Sequence, residues 1–111
     1  MAVVRVGTRH EGALEAAAAF YAGLLPMVQV AIEETQNDLV LVFEPASHEH
    51  HAWRLAVVQQ LARDHAPLRV NGIESDDETA IAAAMTYVDQ APGLTGQLLR
   101  LDGNGASALL S

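Results

Sequence analysis

The sequence predicts a single α/β domain, in which about four parallel strands alternate with helices in the order β-α-β-α-β-α-β. Two observations support this fold class. Short apolar or β-branched runs alternate with longer runs of helix-forming residues, and the breaks between them are short and turn-like. The chain has 111 residues, of which 50% are hydrophobic, so one thin core suffices and no second domain is needed. We therefore treat residues 1–111 as one domain and expect residues 102–111 to fray.

The first half of the chain predicts a strand, a helical segment and a second strand. The β-branched run Ala2–Val6 predicts the first strand. Residues 11–34 are rich in helix formers, and Pro26 should start a second helical segment or kink the first. Residues 38–43, with the sequence DLVLVF, lie between polar residues and a proline. A short apolar run of this kind is typical of a strand buried on both faces.

The second half continues the alternation with two helices and two strands. Residues 48–65 predict a helix, for which Ser47 is the expected N-cap. Residues 68–73 predict the third strand. The sequence Ser-Asp-Asp-Glu at 75–78 has the form of a capping box and should open a helix that runs to about residue 90. Residues 96–101 then predict the fourth strand.

The charge and the cysteine content exclude several classes of function. All six basic residues are arginine, against 14 acidic residues, which gives a formal net charge of -8. A nucleic acid would meet a repulsive field, and the missing lysines exclude Schiff-base chemistry and a phosphate-loop lysine. The absence of cysteine excludes disulfides and thiolate chemistry. With no signal-peptide core and no run of 18 apolar residues, we expect a cytoplasmic protein that does not cross a membrane.

Two ordered motifs in the last two thirds of the chain resemble the short-chain dehydrogenase/reductase family. Residues 61–67 (LARDHAP), followed by Arg69-Val70-Asn71, resemble the end of that family's active-site helix and its RVN strand. Thr95-Gly96-Gln97 and Leu101-Asp102-Gly103 resemble its closing strand, and residues 38–43 occupy the place of its fifth strand. The resemblance implies a half-Rossmann-like domain of three layers, corresponding to the C-terminal half of the family fold. It also implies that the last helix crosses to the opposite face of the sheet.

The departures from the family predict a chain without its catalytic machinery. Alignment of the active-site helix places the family's catalytic tyrosine and lysine at Ser47 and His51. A serine hydroxyl beside an imidazole cannot replace a phenol whose pKa a neighbouring lysine lowers. The loop that carries the catalytic serine is deleted, and the helix asparagine falls near Ala13. The N-terminal half with the Gly-rich dinucleotide turn is absent, so we expect no nucleotide cofactor.

One polar cluster, Ser47-His48-Glu49-His50-His51, leaves two other kinds of site open. Ser47, His48, His50 and His51 are candidates for the rim of a small-ligand site at the carboxyl ends of the strands. His48 and His51 lie one helical turn apart and are the weaker candidates for a metal site. The spacing differs from the H-E-x-x-H zinc motif.

We therefore favour a non-catalytic binding or assembly module, with the small-ligand domain and the metal site as alternatives. The partner is expected to be a second copy of the chain or a related chain. Apolar side chains are spread too widely around helix 48–65 for a helix that meets only its own sheet. Trp53, Val57 and Leu61 are the predicted interface residues, as in the intersubunit helix bundle of the family. The open edge strand Ala2–Val6 and the bare sheet face are alternative surfaces.

Overall fold

The four predicted strands form one parallel sheet. The computed structural model describes residues 1–7 and 12–101, so the predicted fraying of residues 102–111 lies outside the described residues. The strands lie side by side in chain order, with the first and the last at the two edges. This confirms the predicted α/β class and the half-Rossmann-like arrangement. The strands are β1 (Ala2–Val6), β2 (Leu39–Phe43), β3 (Val70–Glu74) and β4 (Leu98–Arg100).

A long helical segment, Ala13–Thr35, connects β1 to β2. It consists of α1 (Ala13–Ala19), a π-helical turn (Phe20–Leu24) and α2 (Leu25–Thr35). Proline occupies the first turn of α2, where its missing N–H costs no hydrogen bond. Pro26 therefore lies at the start of a second helical segment, which is one of the two roles that the sequence predicts for it. Gln36 ends α2 in the left-handed conformation, at φ 55°.

The helices cover both faces of the sheet, which makes the three predicted layers. The other two long helices are α3 (His51–Asp64), which follows a 3-10 turn (His48–His50), and α4 (Glu78–Asp89). One core cluster joins α2 and α3 to one face of the sheet, and a second joins α4 to the opposite face. Because the strands progress in one direction, the crossover through α4 has the opposite hand to the first two.

The two central strands carry the core. Every residue of β2 and of β3 is buried, as expected of strands covered on both faces. In β1 the burial alternates instead, because Ala2, Val4 and Val6 face the helices whereas Val3 and Arg5 are exposed. The helix α4 therefore covers the sheet only from β2 onward.

Two predicted helix caps differ in the structure. Ser47 does occupy the N-cap position before the 3-10 turn, but its side chain makes no capping hydrogen bond. The cap of α4 is Asp77 and not the first residue of the predicted capping box. Its carboxylate accepts from the N–H groups of Thr79 and Ala80, at 2.9 and 3.3 Å. The reason is that β3 extends to Glu74, so the helix begins later than the box predicts.

One helix of this chain is apolar over a length that could cross a membrane, although the sequence contains no unbroken run of 18 apolar residues. Among the residues that the structure describes, one helix, Ala13–Thr35, is long and apolar enough to cross a membrane by length and composition. Phe20, Val28 and Ile32 from this helix nevertheless pack into the core on the sheet. A core helix of a globular domain meets the same criteria of length and composition.

Candidate functional site

The carboxyl ends of the four parallel strands meet at one edge of the sheet, where open α/β sheets bind ligands. On the α4 face this edge contains a cleft of about 220 Å³. We call it the carboxyl-end cleft. One arginine and three carboxylates line it, which makes its wall acidic. The lining residues are Arg5, Val6, Gly7, Val42, Glu44, Ser75, Asp76 and Glu78.

An exposed ion pair crosses this cleft. The Arg5 guanidinium donates two hydrogen bonds to the Glu78 carboxylate, at 2.7 and 3.0 Å. The two side chains are 56% and 72% exposed, so water screens their attraction. The pair links β1 to the start of α4 and contributes little to stability.

On the opposite face of the sheet, a buried ion pair occupies the same end of the strands. The Nη1 group of Arg54 donates to Glu74 Oε2 at 2.9 Å and to the Glu44 carbonyl at 2.8 Å. The Nε group of Arg100 lies 3.4 Å from the other carboxylate oxygen of Glu74. Burial lowers the pKa of Arg54, and the Glu74 carboxylate opposes this shift. The side chains of Arg54 and Glu74 are 1% and 7% exposed, so this pair is part of the core.

Aromatic rings enclose that arginine. The guanidinium carbon of Arg54 lies 4.8 Å from the centre of the Phe43 ring and 5.7 Å from that of Trp53. The Phe20 ring lies 5.6 Å from Trp53, and the Phe43 and Trp53 rings are perpendicular at 6.0 Å. The indole N–H of Trp53 donates to Nδ1 of His50 at 3.2 Å. Packed side chains therefore occupy the space between the start of α3 and the sheet.

The predicted polar cluster does not form one site. Ser47 and His48 are exposed, whereas His50 is 1% exposed and packs against Trp53 inside the domain. His50 is therefore not at the rim where the sequence places it, because its ring is held by the indole three residues later. His51 is half-buried, and its Nδ1 atom is buried without a hydrogen-bond partner. Within residues 1–7 and 12–101, no group of three potential metal-ligating side chains occurs.

The predicted interface residues also lie elsewhere than expected. Val57 and Leu61 are each 2% exposed and belong to the core of the chain itself, while Trp53 is half-buried in the aromatic cluster. Val57 and Leu61 are therefore not available as surface anchors, whereas the half-buried Trp53 remains a predicted interface residue. The large hydrophobic side chains that the structure leaves exposed are Met1, Val3, Leu14, Tyr21, Met27 and Val30. Three of them, Tyr21, Met27 and Val30, lie in residues 16–32, a stretch of the sequence that contains no charged residue.

Arg69 and Asn71 hold neighbouring loops in place. Arg69 bonds both carboxylate oxygens of Asp38, through its backbone N–H at 2.8 Å and its Nε at 3.0 Å. Its Nη1 group also donates to the carbonyls of Val88 and Ala91 at the end of α4. The amide of Asn71 donates to one carbonyl and accepts from one N–H in the loop before β4.

The Asp38–Arg69 pair predicts a loss of stability in acid. Burial raises the pKa of Asp38, but the two hydrogen bonds and the positive charge of Arg69 outweigh it, so the net pKa is lowered. The stabilisation is therefore fully present above the unfolded-state pKa of about 3.9 and is lost as the pH falls through the lower folded-state pKa. We expect Asp38→Asn to lower the free energy of unfolding by about 1–2 kcal/mol at pH 7. Urea unfolding should show this difference shrinking below about pH 4, and a difference independent of pH would contradict the assignment.

The comparisons with known proteins identify the family. A family model described as short chain dehydrogenase-like protein matches residues 4–101. No curated protein and no solved structure matches the chain. The matched region includes residues 4–6 of β1, the whole of the other three strands and the opposite-handed crossover through α4. Because the match covers most of its length, the chain belongs to the short-chain dehydrogenase-like family.

Proposed function

We propose that the chain is a non-catalytic binding or assembly module that associates with a second copy of itself or with a related chain. The observation that carries this proposal is the set of large hydrophobic side chains left exposed on an acidic domain. Leu14 is 87% exposed, Met27 is 67% exposed and Val30 is 51% exposed, all on the long helix. A chain with a net charge of -8 is soluble through its carboxylates, so an uncharged apolar surface indicates a contact with another protein.

The residues at the family's catalytic positions support a non-catalytic role. Ser47 lies exposed on a turn, and His51 is half-buried with its Nδ1 atom enclosed. General acid-base chemistry at a carbinol carbon needs a hydroxyl with a lowered pKa and a cation beside it. A serine and a partly enclosed imidazole do not supply this combination. With no cysteine in the chain, we further propose that the protein acts in the cytoplasm.

We expect neither NAD nor NADP to bind with useful affinity. The three carboxylates of the carboxyl-end cleft, Glu44, Asp76 and Glu78, would repel a pyrophosphate. The chain also lacks the Gly-rich turn that presents backbone N–H groups to that group. Calorimetric titration with each dinucleotide should give no dissociation constant tighter than about 10 μM, equivalent to roughly -7 kcal/mol. Binding at or below that concentration would contradict the non-catalytic assignment.

Sedimentation equilibrium at micromolar concentration tests self-association directly. We expect a species with twice the 11.8 kDa mass of the chain. A homogeneous monomer at every concentration would show that the exposed hydrophobic surface does not bind a second copy. Co-purification with a related short-chain dehydrogenase-like chain would then be the remaining form of the proposal to test.

A further inference from the structure

The strand β1 lies at an edge of the sheet, so the backbone hydrogen-bonding groups on its outer side have no neighbouring strand among the described residues. Its N–H and C=O groups at Ala2 and Val6 bond to β2, through Ala2 N–H to the Asp38 carbonyl and the Glu44 N–H to the Val6 carbonyl. In a parallel pair, alternate residues bond to the same neighbour. The N–H and C=O groups of Val3 and Arg5 therefore point away from the sheet. Because β1 is an edge strand, no described strand meets them.

Exposed apolar side chains flank this edge on both faces of the sheet. On one face, Met1 and Val3 are 42% and 39% exposed. On the other face, α3 lies closest to β3, so α2 covers β1 and β2. Leu25 and Gln29 line the groove between α2 and α3. Met27 lies roughly half a turn around the helix from both, so it faces the β1 edge.

We infer that two copies of the chain join through their β1 strands, antiparallel about a two-fold axis, to form one continuous sheet. This inference rests on the proposed self-association and names its surface. An exposed strand edge is a template for pairing with another strand, and a two-fold axis makes the same edge serve both copies. Val3 and Arg5 of each copy are the hydrogen-bonding residues, so the axis passes between the two Val4 residues. Each Val3 then lies opposite the partner's Arg5.

The side chains suit this register. A shift that centred the axis on Arg5 would place the two guanidinium groups opposite each other, which is unfavourable. With the axis at Val4, the aliphatic part of each Arg5 lies beside the partner's Val3. Each guanidinium keeps its own Glu78 partner at 2.7 Å. The two Val4 residues face each other on the side of the sheet that carries Met27 from each copy.

The charges favour a second copy over an unrelated strand. In the same register, the partner's Met1 lies opposite Gly7, which lines the carboxyl-end cleft. Residues 1–7 contain one arginine and no carboxylate, so the partner's strand brings no negative side chain to the wall that carries Glu44, Asp76 and Glu78. There is room for the incoming residue, because a side-chain carbon added at Gly7 would meet nothing nearer than Glu44 Oε1 at 3.9 Å. Two acidic chains therefore approach through a strand that carries no carboxylate.

Three substitutions at the edge test the register through charge. Each is made in a Glu78→Gln background, so that no carboxylate shields the charge of Arg5. Val3→Lys then places a lysine opposite the partner's Arg5, and the two-fold axis repeats this repulsion. We expect its dimer dissociation constant to rise at least about tenfold. Val3→Glu places a carboxylate opposite the same arginine and should keep or tighten the dimer, although it makes each chain more acidic. The double variant Val3→Lys, Arg5→Glu reverses the pair and should restore association. Sedimentation equilibrium measures all three, and circular dichroism checks that they fold.

Ala56→Lys is the matched control, because it adds the same charge at an exposed position in the groove between α2 and α3. It should leave the dimer unchanged. A dimer that Ala56→Lys dissociates and Val3→Lys does not would overturn the edge assignment while leaving the proposed self-association intact. Equal weakening by Val3→Lys and Val3→Glu would also overturn it. A monomeric wild-type chain would instead remove the self-association on which the inference depends.

Discussion

Glu74→Gln should lower the free energy of unfolding by about 3–5 kcal/mol, the largest effect that we expect from a single substitution. The carboxylate of Glu74 is the counter-ion of Arg54, whose side chain is 1% exposed. Replacement by an amide keeps the shape but removes the charge. The guanidinium then remains buried between Phe43 and Trp53 without the Glu74 carboxylate. Its lost hydration is no longer offset by that ion pair, so the folded state is destabilised. Urea unfolding followed by circular dichroism measures the loss.

The exposed pair of the same chain provides the control. Arg5 and Glu78 are joined at 2.7 Å, a distance comparable with the 2.9 Å of the buried pair. Glu78→Gln should nevertheless change stability by less than about 1 kcal/mol, because water screens an exposed pair. Combining Glu74→Gln with Arg54→Met should cost less than the sum of the two single losses, since the two residues act as a pair. If Glu74→Gln and Glu78→Gln lowered the free energy of unfolding equally, burial would not determine how much an ion pair stabilises this chain.

Most of the fold could be predicted from the sequence, because hydrophobic patterns are local. The run DLVLVF predicts a fully buried strand, and all five residues of Leu39–Phe43 are buried. Pro26 lies in the first turn of the second helical segment, which is one of its two predicted roles, since proline fits the first turn of a helix. The resemblance also implies that the last helix crosses to the opposite face, which the second core cluster confirms. This feature depends on three-dimensional handedness, so local patterns alone do not contain it.

The site residues were less predictable, because their roles depend on contacts between distant parts of the chain. His50 is polar and lies at a helix start, which predicts exposure, but the indole of Trp53 holds it inside the domain. Arg54 is a charged residue within an apolar helix pattern, and nothing nearby in sequence indicates its partner. Glu74 lies 20 residues away, at the end of β3. Ion pairs across elements of this kind are visible only once the strands are placed beside the helices.

The surface of helix α3 was also mispredicted, because residues expected at an interface lie in the core. Val57 and Leu61 lie among apolar residues spread around helix α3, which suggests a second buried surface. In the structure both lie in the core shared with α2, where one helix packs against another as well as against the sheet. The exposed apolar surface belongs to the long helix Ala13–Thr35 and to β1. For the helix, the signal in the sequence is the uncharged stretch 16–32 in an otherwise acidic chain.

Gly72→Ala should lower the free energy of unfolding by about 1–3 kcal/mol through overpacking. Gly72 lies at the centre of β3 on the face that α3 covers, and three elements approach it. An added side-chain carbon would lie 2.9 Å from Leu98 Cδ1, 3.0 Å from Val58 Cγ2 and 3.3 Å from Phe43 Cε2. The leucine methyl can rotate away, but valine on a helix has essentially one rotamer and the phenylalanine ring is held in the aromatic cluster. The sheet and α3 must therefore move apart slightly to admit the methyl group.

Gly23→Ala is the matched control for this substitution, because it adds the same methyl group where nothing lies within 4 Å. Gly23 lies in the π-helical turn, where alanine loses less conformational entropy on folding than glycine. We expect Gly23→Ala to leave stability unchanged or raise it by up to about 1 kcal/mol. Thermal and urea unfolding should therefore show a loss of stability for Gly72→Ala and no loss for Gly23→Ala. A Gly72→Ala variant as stable as the wild type would show that α3 packs on β3 more loosely than these distances indicate.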